Sequence, residues 1–156
     1  MPFSEDLLEQ AQHLAIRDKR RPKQASLRRA VSTAYYALFH FLIAEAISNW
    51  KNNSQRAALA RAFEHRNMKT ASAKAANARA ATSNPTVLVE LQRVANTFTL
   101  LQQDRNTADY DNSVQWTRIE VQADIDRVRA AFASWRAIRT EPLAQDYLLS
   151  LLVKDR

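Results

Sequence analysis

Apolar residues recur every three or four positions along much of this chain, the spacing that places them on one face of an α-helix. Two stretches in the second half follow alternating steps of four and three residues: Val87, Leu91, Val94, Phe98 and Leu101, and then Val121, Ile125, Val128, Phe132 and Trp135. Each pattern predicts one long amphipathic helix.

The remaining apolar clusters predict further helices at both ends of the chain. The four prolines each stand where a helix could begin, and none interrupts an apolar repeat. We place helices over about residues 4–17, with Ser4 as N-cap, and over about residues 24–50, 54–68 and 142–153.

Two polar stretches interrupt this pattern. Residues 69–86 contain no large apolar side chain, so we expect a stretch that is helical by propensity but outside the core and mobile. Residues 104–113 are predicted to form a polar loop. In it Asp109 or Asp111 would cap the following helix, and Arg105 would pair with an acid or contact a phosphate.

The composition agrees with helices throughout. The chain has no glycine and no cysteine, and alanine, the best helix former, fills 27 positions. Gly-rich phosphate loops, dinucleotide fingerprints and Cys-based metal sites are therefore excluded. We predict an all-α protein of one domain over residues 1–156. Its architecture would be an antiparallel bundle of about five helices with a short C-terminal helix, and we expect no cofactor.

The net charge of +7 is unevenly distributed. Residues 1–80 hold 14 Lys and Arg against 6 Asp and Glu, whereas residues 81–156 hold 9 against 10. A basic half favours an anionic partner, nucleic acid first, and the alternative is a solvated basic face. No apolar run approaches about 20 residues, and the N-terminus is acidic, so we predict a cytoplasmic protein that binds no membrane.

The long second helix carries two distinct faces. One is apolar, and the other aligns polar and aromatic side chains: Arg29, Thr33, Tyr36 and His40. Such a helix must be covered on both sides, as a central helix or at an oligomer interface. The aligned groups then form either a ligand site or a satisfied core histidine with a capping arginine.

Two motifs resemble a known family. The run from Arg28 to His40 contains AYYALFH, and the run RNTADYD begins at Arg105. Together they resemble the HEPN superfamily, in its prokaryotic branch with an AYYA-x-FH helix and an R-x-x-ADY loop, over about residues 6–136. The resemblance implies a bundle of four or five helices, often dimeric. Many members are metal-independent ribonucleases, toxins or defence factors that act on RNA, and others are non-catalytic partners of small nucleotidyltransferases.

The resemblance also implies a site. Nuclease members carry an arginine that binds the scissile phosphate, followed after four to six residues by a histidine. Arg105 matches the arginine, Tyr110 stands in the place of the histidine, and His40 is the candidate substitute. We therefore assign catalytic roles to Arg105, Tyr110 and His40, and substrate binding to Arg29, Tyr36 and Asp109, with no metal. We expect Arg105, Asp109 and Tyr110 to approach Tyr36 and His40.

Three functions follow as hypotheses. The first is an RNA-associated HEPN protein, a metal-independent endoribonuclease or toxin or defence-type factor whose motif is degenerate at Tyr110. The second is a non-catalytic partner of a nucleotidyltransferase, with residues 69–86 and 147–153 as contact surfaces. The third is a nucleotide or small-molecule sensor with its pocket between the second helix and the 104–113 segment.

We predict a homodimer, because the second helix has more apolar and aromatic surface than one covering face needs. Light scattering of the purified chain should give a mass about twice 17.8 kDa. The mass of a monomer would contradict the prediction.

Overall fold

A computed structural model of the chain describes residues 2–78 and 84–154. Those residues form seven α-helices and no β-strand, so the all-α prediction is confirmed. The helices are α1 (Phe3–Ile16), α2 (Gln24–Ile47), α3 (Asn53–Ala60), α4 (His65–Asn77), α5 (Pro85–Tyr110), α6 (Arg118–Ile138) and α7 (Pro142–Leu152).

The helix predicted over residues 54–68 is divided in two. The side chain of Asn52 caps α3 by accepting hydrogen bonds from the next backbone amides. At the other end, the amides of Arg61 and Ala62 bond to carbonyls only three residues back, which closes the helix. The chain then turns Phe63 inward, where it is buried, before α4 begins. No proline or glycine marks this break, so the sequence pattern gave no sign that the predicted helix would be divided here.

Residues 69–77 lie within α4 and contact the core through small side chains. Ala71 is buried, and buried Ser72 shares a hydrogen bond of 2.7 Å with Tyr147 of α7. Asn67 donates to the carbonyl of Leu151, also at 2.7 Å. The expectation that this part of the stretch lies outside the core is therefore wrong. Residues 79–83 lie outside the described residues, and the mobility of residues 69–86 stays a prediction.

The predicted loop over residues 104–113 is wrong in its first seven residues, because α5 continues through Tyr110. An ion pair between Arg105 and Asp109, four residues apart, supports the helix, and Ala108 between them is buried. Polar composition alone does not end a helix when such contacts are present. The cap of α6 is Thr117, whose hydroxyl accepts from the amide of Glu120 at 3.2 Å.

The chain forms two compact units. Unit 1 contains the described residues up to Phe41 together with Leu100–Phe132, and unit 2 contains Leu42–Thr99 with the residues from Ala133 onward. The aromatic rings of Phe41 and Phe132 stack in unit 1, with centroids 4.2 Å apart. In unit 2, α4 packs on α7, and the core is built on Met68, Val94, Trp135, Tyr147, Leu148 and Leu151. The single domain expected over residues 1–156 stays a prediction.

Among the described residues, α2 is long and apolar enough to cross a membrane, judged by length and composition alone. Over 18 of its residues the mean hydropathy is 1.4, although polar side chains interrupt the apolar run. Of these 18 residues, 61% are buried inside the protein. A core helix of a soluble protein meets the same criterion, and the cytoplasmic location stays a prediction.

Arg28 closes the C-terminal end of α5. Its guanidinium donates to the carbonyls of Ala108 and Asp111, each at 2.9 Å, and also to the carbonyl of Val114. These carbonyls lie at or beyond the last turn, where a helix has no internal donors for them. A cation at this end also matches the negative end of the helix dipole.

We therefore expect Arg28→Ala to lower the free energy of unfolding by about 2 kcal/mol, since charged hydrogen bonds contribute about 1.5–3 kcal/mol. Urea denaturation followed by circular dichroism measures the change. The matched control is Arg29→Ala, which removes the exposed neighbouring arginine and should change stability by less than about 0.5 kcal/mol. Equal losses in the two variants would contradict the capping role.

Candidate functional site

Arg105 of α5 is fixed in orientation by contacts on three sides of its guanidinium. Nη2 donates to the hydroxyl of Tyr36 at 2.8 Å, and Nη1 donates to the side chain of Asn106 at 3.0 Å. Nε lies 3.2 Å from a carboxylate oxygen of Asp109. The guanidinium carbon is 5.6 and 5.4 Å from the ring centroids of Tyr35 and Tyr36, within cation–π range. Only 16% of the side chain remains exposed.

Asp109 joins α5 to α2 through both carboxylate oxygens. One oxygen faces Arg105, and the other accepts a hydrogen bond from the hydroxyl of Ser32. Ser32 is buried, so its hydroxyl needs this acceptor. Asp109 therefore positions the arginine. We call the group the Arg105 cluster, and it consists of Ser32, Tyr35, Tyr36, Arg105 and Asp109.

The electrostatics keep the cluster positively charged at Arg105. Burial opposes the charge, but the hydrogen bond with Tyr36 and the carboxylate of Asp109 outweigh it and raise the pKa of Arg105. Burial raises the pKa of the Tyr35 phenol well above its usual range, so that ring stays neutral. The result is a permanent cation between neutral aromatic faces, with one carboxylate beside it.

His40 lies one helical turn beyond Tyr36 on α2, with ring centroids 6.4 Å apart. The rings of Phe3 and Phe39 lie 5.0 and 5.3 Å from it, so the imidazole is half-buried among aromatic groups. This burial lowers the pKa of His40 below its ordinary value. The imidazole is therefore neutral near pH 7 and able to accept a proton.

Two of the predicted site residues lie apart from the cluster. Tyr110 is 76% exposed, and no described residue forms a hydrogen bond or a ring contact with it. Because α5 continues through Tyr110, five residues of helix turn its side chain about 140° away from that of Arg105. Its expected approach to Tyr36 and His40 is wrong. Arg29 is exposed as well, and it does not contact the cluster.

The other predicted residues come together, and with them some that sequence reasoning missed. Arg105, Tyr36 and Asp109 are in direct contact, and His40 follows on the next turn. Arg28 and Ser32 were not predicted. Both lie at steps of four residues before Tyr36, and this spacing was the available signal.

A second titratable group in unit 1 was also missed. The Asp124 side chain is 1% exposed, and one oxygen accepts from Arg127 at 2.7 Å. Burial raises the pKa of Asp124 to about 7, and the neighbouring Asp104 contributes in the same direction. A protonated Asp124 can donate to Asp104, whereas two charged carboxylates repel each other. Within the described ranges, no group of three or more His, Cys, Asp and Glu could hold a metal ion.

No family model, curated protein or solved structure matches this chain.

The stability of the protein should decrease as pH rises toward neutrality, because of Asp124. Its pKa is higher in the folded chain than its ordinary value of 3.8, so the folded state binds more protons between about pH 4 and 7. The contribution is complete below pH 4 and is lost as pH rises through about 7. Its slope is at most about 1.4 kcal/mol per pH unit.

Asp124→Asn should remove that slope, measured as the free energy of unfolding in urea at several pH values. Asp126→Asn is the control, since the Asp126 side chain is 60% exposed and should leave the slope unchanged. A slope retained in Asp124→Asn would overturn the assignment.

Proposed function

We propose that this chain is a HEPN-type protein that acts on RNA as a metal-independent endoribonuclease, with Arg105 as the phosphate-binding residue. One observation carries the proposal: the Arg105 guanidinium is fixed between two tyrosine rings by Tyr36 and Asp109. The HEPN resemblance of the two motifs extends it to a toxin or defence-type factor that works as a cytoplasmic homodimer.

The fixed guanidinium suits phosphate recognition. Arginine has five N–H donors in one plane, and a phosphate accepts two of them side by side. Nη1 and Nη2 of Arg105 each donate one hydrogen bond, whereas the buried Nε lies 3.2 Å from Asp109 without forming a hydrogen bond. One N–H remains on each terminal nitrogen, and no described residue accepts it. Holding the plane in advance reduces the entropy lost on binding.

His40 supplies the base in this proposal. A neutral imidazole can take the proton of a ribose 2′-hydroxyl as that oxygen attacks the adjacent phosphorus, and burial keeps His40 neutral near pH 7. The bond from phosphorus to the 5′-oxygen then breaks, which leaves a 2′,3′-cyclic phosphate, and the 5′-oxygen takes a proton from water. The exposed phenol of Tyr110 turns away from Arg105 and has no part in the chemistry we propose. Arg29 is exposed, and the substrate role assigned to it stays a prediction.

The basic charge that favours an anionic partner belongs mainly to unit 2. Its sequence ranges hold 12 Lys and Arg against 6 Asp and Glu, whereas those of unit 1 hold 11 against 10. Nonspecific attraction to RNA is therefore expected from unit 2, and the chemistry from the Arg105 cluster in unit 1. The affinity should fall steeply with salt, because phosphate contacts release counterions.

A second candidate is a non-catalytic helical partner of a nucleotidyltransferase-type protein. It is favoured by the pairing of Arg105 with the chain's own Asp109, which offsets the charge available to a phosphate. The contact surface expected over residues 147–153 is reduced, because Tyr147, Leu148 and Leu151 are buried. Leu149 and Val153 remain 61% and 55% exposed for such a partner.

The test is cleavage of labelled RNA by the purified protein in EDTA. The parent should cleave, and Arg105→Ala should lower the rate at least about 100-fold, the usual loss when a transition-state donor is removed. The matched control is Arg129→Ala, which removes another arginine of unit 1 that pairs with an aspartate on its own helix. It should cleave at the parental rate.

Cleavage that is equal in the parent and Arg105→Ala, or absent from both, would discard the enzyme. The second candidate would then stand, and it predicts a stable complex with a nucleotidyltransferase and no phosphodiester chemistry. Binding of RNA by the parent without cleavage would separate an RNA-associated role from catalysis.

A further inference from the structure

Unit 2 contains a cavity of about 580 Å³ that the proposed RNA cleavage does not use. It lies between α4, α7 and the first turns of α5. Its floor is apolar, and the lining includes Ala71, Ala75, Leu88, Leu91 and Leu143. The hydrogen bond between Ser72 and Tyr147 ties the two walls together, so the walls are fixed by a buried contact. Small-molecule sites have volumes of about 300–1,000 Å³ and mostly apolar linings.

The polar groups around the cavity are distributed unequally between its walls. The α4 wall presents Arg66, Thr70 and Lys74, which are four residues apart and therefore share one face of the helix. No Asp or Glu occurs in α4. The α7 wall instead presents Asp146. The α4 wall is thus cationic, and the opposite wall carries a negative charge.

At one end of the cavity Glu64 and Lys154 form an ion pair with an N–O distance of 3.0 Å. These two lining charges therefore neutralise each other locally. An anion in the cavity would be attracted to the cations Arg66 and Lys74. The Thr70 hydroxyl between them already donates to the backbone carbonyl of Arg66 at 3.1 Å. The anion would be repelled by Asp146 on the other wall, which determines its orientation.

We propose that this cavity binds a small organic molecule with an apolar body and one anionic group, a carboxylate, sulfonate or phosphate. The apolar body lies on the leucine and alanine floor, and the anionic group lies between Arg66 and Lys74 on the α4 wall. The volume favours a small molecule over a protein partner, since protein interfaces spread over about 800 Å² on each side. The proposal is independent of the Arg105 cluster, which belongs to unit 1.

Two fluorescent probes of nearly the same shape test the proposal. The anionic probe is 8-anilinonaphthalene-1-sulfonate, and the uncharged one is N-phenyl-1-naphthylamine, which lacks the sulfonate. The folded protein should bind the anionic probe at one saturable site. In the double variant Arg66→Gln with Lys74→Gln, its affinity should fall about 10-fold or more. The affinity of the uncharged probe should change less than about twofold, because charge attraction is the only interaction removed.

The matched control is Arg61→Gln with Lys69→Gln, which removes the same two charges from side chains that do not line this cavity. It should bind both probes as the parent does. Ala75→Trp should abolish binding of both probes, because the indole fills the cavity. Thr70→Trp, at an exposed position on the rim, serves the same purpose if Ala75→Trp lowers the melting temperature.

Three results would overturn the proposal. The first is no saturable binding of the anionic probe by the parent, the outcome expected if another part of the chain fills the cavity. The second is an equal effect of the two double variants on that probe. The third is binding that persists in a folded tryptophan variant. None of these results bears on RNA cleavage, so the two proposals are tested separately.

Discussion

The contacts from α2 to the last turns of α5 are the constraint on which unit 1 depends. A chain without glycine lacks the residue that most often ends a helix in the left-handed conformation, and no described residue has a positive φ. The carbonyls at the end of α5 must therefore find other donors, and Arg28 supplies them. One turn later Ser32 binds Asp109, and a turn after that Tyr36 binds Arg105. The same ladder of side chains closes the helix and builds the site.

This coupling has a consequence for chemistry. A guanidinium held on three sides cannot reorient toward a substrate, so a phosphate must bind in the plane that the guanidinium already occupies. The donors of that plane are therefore preorganised. The nearby carboxylate of Asp109 has the opposite effect, because its negative charge weakens the electrostatic attraction between Arg105 and a phosphate. Whether Arg105 acts in catalysis or only as part of the fold therefore depends on its two remaining N–H groups. They distinguish a phosphate site from a purely structural ion pair.

Apolar spacing predicted the helical class, the course of α6 and the course of α5 up to residue 103, because these helices bury a regular apolar stripe. It did not reveal the break before α4, where Phe63 turns inward without a glycine or proline. It also chose the wrong polar residues on α2, Arg29 in place of Arg28 and Ser32. Neighbouring residues differ by 100° around a helix, and only the position of α5 decides which of them meets a partner. Asp124 was missed although the spacing places it on the buried face of α6, three residues after Val121 and four before Val128.

The features from which function was inferred lie in different units of the chain. The two motifs on which the proposed function rests lie in unit 1, whose charges nearly balance, and the basic excess lies in unit 2. Charge and motif are thus independent observations about different surfaces, and neither strengthens the other at the Arg105 cluster. The cationic wall of α4 faces a cavity with an apolar floor, an environment suited to a compact amphiphile. A basic half of the sequence can therefore indicate binding of a small anionic ligand as well as binding of a polyanion. The shape of the surface that carries the cations distinguishes these two possibilities.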